Sequence, residues 1–421
     1  MLRTFKITNF KSIDEICMDL QKLNFIVGMN GAGKSTILQA LDFTSQLMKG
    51  DIQSWLANRE WDFKDLRNQN NKNRKFNIDI EIFLDHYNQD VKKLIVWKAS
   101  FSTRDLFCRS EGIYLYDINL DNYEPIMESH SGIIGIIGGR EYIDDVTGLT
   151  KDDTSNKNFK NNKKDTFTLT NNYHGSILSS LKEEYFNSYM KHVKHVIGNI
   201  TSLELLSPAT LRKRSRLNKD ILGIGGEKLA GRIAELKISH QESFENIQKE
   251  LQIFYPHLQE IDIKNLVSGW KQLIFMENYS NSKLTISAKH INDGMLRILA
   301  IITQVFQSNS SVILLDEIEN GINQEIIKPL VRTLAEVKNV QFVITTHSPL
   351  LLNYLTDTEA EKGLFFSYKA SDGNMKIRKF FEVIDEPEML EYTGPGEIFV
   401  NTDLKELALK CENLDIKEAK R

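Results

Sequence analysis

The eight residues Gly28-Met29-Asn30-Gly31-Ala32-Gly33-Lys34-Ser35 constrain this chain more than any other stretch. They satisfy G-x-x-x-x-G-K-[ST]. They lie between a short apolar run, Leu23-Asn24-Phe25-Ile26-Val27, and a stretch of helical spacing through Ile37, Leu38, Leu41 and Phe43 that Gly50 stops. Strand, glycine loop and helix in that order predict a phosphate-binding turn. Gly28, Gly31 and Gly33 let backbone N–H groups face inward, and Asn30, Ala32 and Thr36 complete the loop and first helical turn. Lys34 reaches the β- and γ-phosphates of a nucleotide, and the Ser35 hydroxyl ligates Mg²⁺ at the positive end of the helix.

A second feature lies far downstream, where the apolar run Val312-Ile313-Leu314-Leu315 delivers Asp316 and Glu317. Adjacent acids at a strand end place Asp316 at the metal and leave Glu317 to orient or deprotonate a water. Residues 341–345 form another apolar strand, ending in Thr346-His347-Ser348-Pro349. In a parallel sheet, strand ends of one polarity share an edge where ligands bind, so His347 is expected at the γ-phosphate.

Composition excludes several classes. The 421 residues are 41% hydrophobic and 26% charged, within the range of globular proteins, and allow two or three lobes. The length is too small for a chain with coiled-coil arms of several hundred residues. A net charge of −4 gives no global field toward nucleic acid or anionic lipid. Cys17, Cys108 and Cys411 form neither a CxxC pair nor a metal-type spacing, and the N-terminus lacks the apolar core of a signal peptide. The most apolar helical stretch, 295–306, is broken by Arg297. A cytoplasmic protein without a membrane segment is expected.

Along the chain, Leu2, Phe5 and Ile7 alternate with polar residues as in an edge or half-buried strand, and 77–84 with 94–97 predict a small antiparallel sheet. Periodicity fades over 100–173, and the Asn/Lys/Asp-rich segment 151–172 reads as a solvated insertion or flexible loop. Helical spacing returns at 178–196 and at 227–254, the latter a long helix or helical pair. The final third, from the strand 273–277 through the helices 293–306 and 325–337 and the strands 312–315 and 341–345 to 350–355, alternates in a way that implies parallel strands covered by helices.

The NFKS at Asn9 to Ser12, the GMNGAGKST, the LLDEIENG at Leu314 to Gly321 and the TTHS at Thr345 to Ser348 together resemble an ABC-type ATPase head of the recombination, structural-maintenance (SMC) and overcoming-lysogenization-defect (OLD) proteins. The order is similar to stand-alone AAA-family ATPases of prokaryotic defence loci of the Septu, retron and PARIS type. The likeness covers about 1–50 and 280–355. It implies an α/β P-loop NTPase fold with a mixed sheet, an antiparallel β-subdomain and a helical insertion lobe. The N-terminal half of the head would occupy 1–100, the middle lobe 101–270 and the C-terminal half 271–421.

The resemblance further implies ATP and Mg²⁺ as cofactors, hydrolysis of ATP, and a homodimer of heads, with higher oligomers open. A signature segment touching the opposite subunit's γ-phosphate falls on Asn292, Asp293 and Gly294. There Asn292 replaces the usual serine and Asp293 a glycine, and the same residues read equally as an ordinary helix cap. Asn320 to Asn323 would cross the dimer interface, Lys11 and Ser12 would approach the adenine, and a metal-contacting glutamine is left unassigned among Gln46, Gln53 and Gln69. The implied function is an ATPase that controls a separately encoded effector, a nuclease, in antiphage defence. Alternatives are a DNA repair or recombination ATPase and an OLD-type nuclease. Against the nuclease, 364–384 reads as two strands and Asp385, Glu386, Glu388 and Glu391 as a charge-rich loop; a transporter subunit is disfavoured by the altered signature.

Remaining clusters carry less chemistry. Arg212, Lys213, Arg214, Arg216 and Lys219 form a candidate nucleic-acid patch, with solvated surface as the alternative and no interleaved aromatic; Lys72, Arg74 and Lys75 form a smaller group. Gly132 to Gly139 reads as strand and loop. His192 and His195 fall on neighbouring helical turns without a third ligand and read as ordinary helix positions.

Overall fold

The computed structural model describes residues 1–70, 77–86, 92–130, 133–137, 149–151, 164–169, 174–218, 222–223, 225–280, 282–307, 309–385, 389–390 and 392–418. Strands β1 (Leu2–Phe10), β2 (Ile13–Asp19) and β3 (Leu23–Val27) precede helices α1 (Lys34–Lys49) and α2 (Ile52–Asn58). An antiparallel series follows: β4 (Asn77–Asp85), β5 (Lys93–Ser102), β6 (Cys108–Asp117), β7 (Asn122–His130), β8 (Ile133–Ile137), β9 (Leu149–Lys151) and β10 (Lys164–Leu169). The middle of the chain holds α3 (Ile177–Ser180), α4 (Ser188–Gly198), β11 (Ile200–Ser202), α5 (Pro208–Leu211), α6 (Leu229–Ser239) and α7 (Gln241–Phe254). Three strands come next, β12 (Leu258–Asn265), β13 (Lys271–Tyr279) and β14 (Ser282–Ser287). The last part comprises α8 (Asp293–Gln307), β15 (Val312–Leu315), α9 (Gln324–Glu336), β16 (Gln341–Thr345), α10 (Pro349–Leu352), α11 (Asp357–Gly363), β17 (Leu364–Lys369), β18 (Met375–Lys379), α12 (Pro395–Asn401) and α13 (Leu404–Glu418).

Among the described residues one mixed sheet runs β11-β15-β16-β3-β17-β18-β2-β1-β4-β5-β6-β7-β8-β10-β9. The first five strands are parallel, and β3, β15 and β16 are buried at every position. That matches their uninterrupted apolar sequences, because a parallel strand must bury both faces under helices. Ile26, Leu314 and Val343 pack on one face with Ile37, Leu38 and Leu41 of α1, while Phe25, Leu315 and Ile344 pack on the other with α8 and α9. From β2 to β7 the ladder turns antiparallel, and along β4 the burial alternates as its period-two sequence requires.

Several expectations need correction. β1 is half-buried but is no edge strand, since it pairs with both β2 and β4; alternation reports which face is buried, not how many neighbours a strand has. β13 does not join the parallel sheet but is the middle strand of a separate antiparallel β12-β13-β14 sheet. The short apolar run could not disclose its partners. Over 100–173, where no periodicity was legible, β6 and β7 extend the sheet. Within 151–172, Lys164–Leu169 is a strand paired with β8 and β9, so that segment is not wholly a loop; 152–163 lie outside the described residues. So do Lys72, Arg74, Lys75, Lys219, Glu386, Glu388 and Glu391. No helix among the described residues is long and apolar enough to cross a membrane.

Candidate functional site

The carboxyl ends of five parallel strands meet along one edge, and the chain delivers polar residues there. β3 runs into the glycine loop. Gly28 has φ 149°, and a Cβ at that position would lie 2.1 Å from the Ser367 carbonyl oxygen of neighbouring β17. Gly33 has φ 93°, with Met375 Cγ of β18 at 2.6 Å from its would-be Cβ. Only glycine fits both positions. Ser367, buried, donates through Oγ to the Ala32 carbonyl at 2.8 Å, pinning the loop to β17. No side chain caps α1 at Gly33, which leaves its first N–H groups for an anion.

Lys34 Nζ donates to the carbonyls of Gly28 and Met29, each at 3.0 Å, lying back across its own loop. Burial lowers its pKa, opposed by the charges of Glu317, Asp316 and Glu319. Ser35 Oγ lies 3.2 Å from Asp316 Oδ1 across 281 residues of sequence. Thr345 Oγ1 donates to the same Asp316 oxygen and accepts from Glu317 N–H at 2.8 Å. Glu317 has φ 43°, and its carboxylate lies 3.9 Å from His347 Nε2, with both side chains partly exposed. A hydroxyl and a carboxylate at one point form the hard oxygen set that suits Mg²⁺.

Other residues at this edge had no recognisable signal. Glu319 accepts from Thr346 Oγ1 at 2.9 Å and His347 N–H at 2.6 Å, fixing the end of β16. Arg297 of α8 donates to the carbonyls of Asp316, Glu317 and Asn320 at 2.7, 3.0 and 3.3 Å, clamping the acidic turn from beneath. Glu204 follows β11, beside β15, where the nearby charge of Asp316 adds to a pKa raised mainly by burial. It accepts from Gln39 Nε2 at 2.6 Å and pairs with Arg59, which also pairs with Asp42; all three charged side chains are almost fully buried. A three-residue strand such as β11 is too short for periodicity to reveal.

The remaining expected residues are distributed as follows. Lys11 donates to Gln39 Oε1 at 2.8 Å and lies 3.5 Å above the Trp61 ring. Ser12 reaches the glycine loop, its Oγ 3.5 Å from the Cβ that Gly33 lacks. Asn292 caps α8, accepting from Met295 N–H at 2.7 Å, and Gly294 packs so closely on the 320–322 turn that a Cβ would lie 2.5 Å from the Gly321 carbonyl oxygen. Gln46 donates to Asp42 along α1, Gln53 is exposed on α2, and Gln69 lies exposed in the turn where neighbouring Asn68 donates to Asn374. The structure breaks up the basic cluster: Arg212 is bound to Ile291 O and Asp293 and belongs to the α8 cap, whereas Lys213, Arg214 and Arg216 are exposed. His192 Nε2 contacts the Asp85 carbonyl at 3.0 Å. Residues 364–379 supply β17 and β18 of the main sheet, and Asp385 pairs with Lys410.

A family model described as AAA domain, putative AbiEii toxin, Type IV TA system matches residues 23–353. An OLD nuclease of Thermus scotoductus is 44% identical over 52 residues, which span 12% of this chain and only 9% of that protein. Among solved structures, an SMC head bound to the C-terminal winged-helix domain of ScpA superposes with a TM-score of 0.51 at 15% identity, covering 90% of this chain and 96% of the other. The SMC head domain from Thermotoga maritima gives 0.44 at 12% identity, over 90% and 98%. The first of these superpositions describes a shared fold.

Proposed function

The chain belongs to this AAA-domain family and is a P-loop ATPase of the ABC type related to the OLD and SMC proteins, and from that premise we propose that it hydrolyses Mg·ATP and that ATP-dependent pairing of two heads controls a separately encoded effector. The observation that carries the reading is the approach of Ser35 Oγ to Asp316 Oδ1 beside Lys34 and Glu317. Ser35 and Asp316 would hold Mg²⁺, which would supply positive charge to offset that of the phosphates. Lys34 and the loop N–H groups bind the phosphates. Glu317 orients and polarises the attacking water, and His347, beside that carboxylate, contacts the γ-phosphate. By the family resemblance, Lys11 would approach the adenine from its position above Trp61.

Pairing of heads is supported by the surface around the site. Asn292 and Asp293 are exposed, Gly294 lies against the Gly321 turn, and that turn begins at Glu317. Asn292 and Asp293 thus lie on the open surface that a second head would approach, with Asn292 also capping α8 and Asp293 also paired with Arg212. An effector nuclease and a part in antiphage defence are the finest steps of the proposal, resting on motif order and family; cytoplasmic residence follows from the same reading. Direct action on nucleic acid through Lys213, Arg214 and Arg216 is a second arm, favoured by their exposure. The test is native mass and phosphate release for wild type and Glu317→Gln. A dimer formed with Mg·ATP that persists in the variant without turnover is expected; monomers under every condition would remove the pairing, and phosphate release undiminished in Glu317→Gln would remove the catalytic assignment.

A further inference from the structure

The basic run 211–219 has no aromatic neighbour in sequence, but the fold gives it one. Residues around Ser215 run antiparallel beside the start of β13, with Ser215 N–H donating to Lys271 O at 3.2 Å and Lys271 N–H to Ser215 O at 2.8 Å. Ser215 is buried, so Arg214 and Arg216 on either side of it project from the opposite, exposed face. Across this bridge the Arg216 guanidinium lies 5.6 Å from the centroid of the Trp270 ring, which is 41% exposed. On the far side of β13, Lys264 opposes Gln272 and adds a cation to the same face. Val267, in the turn that leads to Trp270, is 88% exposed. The acids that share the face on β12, Asp262 and Glu260, are tied to Lys237 at 2.9 and 3.1 Å.

We propose that this end of the β12-β13-β14 sheet is a platform for single-stranded nucleic acid. Arg214, Arg216 and Lys264 are spaced along a strip that can follow a phosphate backbone, and Trp270 offers a ring to a base. A ring on an open surface can stack only on a base whose face is uncovered, which selects single strands over duplex. Arg212 is excluded from the platform, because its guanidinium is engaged by the α8 cap. The proposal rests on the second, nucleic-acid arm of the functional reading and gives it a ligand class; because binding is read without turnover, its failure and that of the ATPase reading are separable, and duplex binding would keep that arm while removing the platform.

The experiment is fluorescence anisotropy of a labelled oligothymidylate with the full chain across a salt series, repeated with the matching oligouridylate. Both strands should bind, and affinity should fall with salt. Trp270→Ala should weaken binding by about five- to a hundredfold while Trp270→Phe retains most of it. Joint replacement of Arg214 and Arg216 by Ala should lower the logarithmic salt slope by about 1.4. Lys405→Ala removes an exposed cation of α13, away from the strip and its acids, and should change nothing; thermal unfolding verifies that each variant folds. Duplex binding as tight as single strand, equal competition by polyglutamate, or unchanged affinity in folded Trp270→Ala would overturn the platform.

Discussion

At the scale of single residues, Glu317 shows how backbone geometry can aim a side chain. Its φ of 43° is strained for a residue with a Cβ, and the turn is held by its N–H on Thr345 Oγ1 and by Asn320 Nδ2 on its carboxylate. Glu317→Gln keeps the volume and removes the base, so turnover should fall by about 10²–10⁴ with nucleotide affinity preserved, as single-turnover phosphate release and equilibrium binding would read; a matching loss of affinity would assign the residue to structure. Glu111 illustrates a different use of a carboxylate. It is fully buried and accepts from Trp97 Nε1 at 2.8 Å, from Ile177 N–H at 2.7 Å and from Ser176 Oγ, joining the antiparallel strands to the segment before α3. Burial raises its pKa more than these hydrogen bonds lower it. With the folded value above the unfolded one, the stability it contributes is complete below the ordinary glutamate pKa and is lost as pH rises through the folded value. Glu111→Gln should therefore flatten that part of the pH–stability curve, measured by urea unfolding from acid to neutral pH. Glu111→Ala, which strands three buried donors, should cost about 3 kcal/mol or more.

Elements differ in how openly the sequence announces them. β3, β15 and β16 are legible to within a residue or two because continuous apolar runs end at glycine, at paired acids or at Thr346-His347, and α1 because helical spacing starts at Lys34 and stops at Gly50; the fold brings Lys34, Ser35, Asp316, Glu317 and His347 to one edge. Glu204, Arg59 and Asp42 were not legible: their charges are compensated only by residues brought from three distant places, and nothing local distinguishes them from surface charges. The role of Arg297, and that of Thr345 within the quoted TTHS, is hidden for a related reason, since each acts on Asp316 or Glu317 through folded contacts. The start of α8 was read as either a cap or a nucleotide contact, and the hydrogen bond from Met295 N–H to Asn292 Oδ1 establishes the cap without removing the other role. Asn292→Asp keeps an acceptor there and should leave thermal stability unchanged, whereas Asn292→Ala should cost about 1 kcal/mol. Gly294→Ala drives a methyl toward the Gly321 carbonyl and so displaces the turn that begins at Glu317. A kcat that falls more than KM rises is the expected signature, and unchanged kcat would mean that the turn accommodates the methyl.

Over the whole molecule, the N-terminal and C-terminal parts of the chain are bonded to each other at both edges of the parallel strands. Leu2 N–H donates to Gln341 Oε1 at 2.7 Å and Gln341 Nε2 returns to Leu2 O at 2.8 Å, while Met375 N–H donates to Ser12 O at 2.7 Å behind the glycine loop. β3 lies between β16 and β17, strands contributed from more than 300 residues downstream, so the phosphate loop cannot take its conformation until the C-terminal part has paired. Such a site exists only in the folded chain, and whatever binds it stabilises the assembly of both halves rather than one local loop. A slowly hydrolysed ATP analogue with Mg²⁺ should accordingly raise the unfolding midpoint of the entire protein, the added unfolding free energy being about 2.7 kcal/mol at a hundredfold excess over Kd. Asp316→Ala sits 281 residues from Ser35 in sequence yet should abolish the Mg²⁺-dependent part of that shift as fully as Ser35→Ala does. Differential scanning calorimetry with and without metal would measure both. If the analogue protects only one of two separate transitions, or if Asp316→Ala leaves the metal effect intact, then the halves do not share the pocket that every functional assignment made for this edge requires.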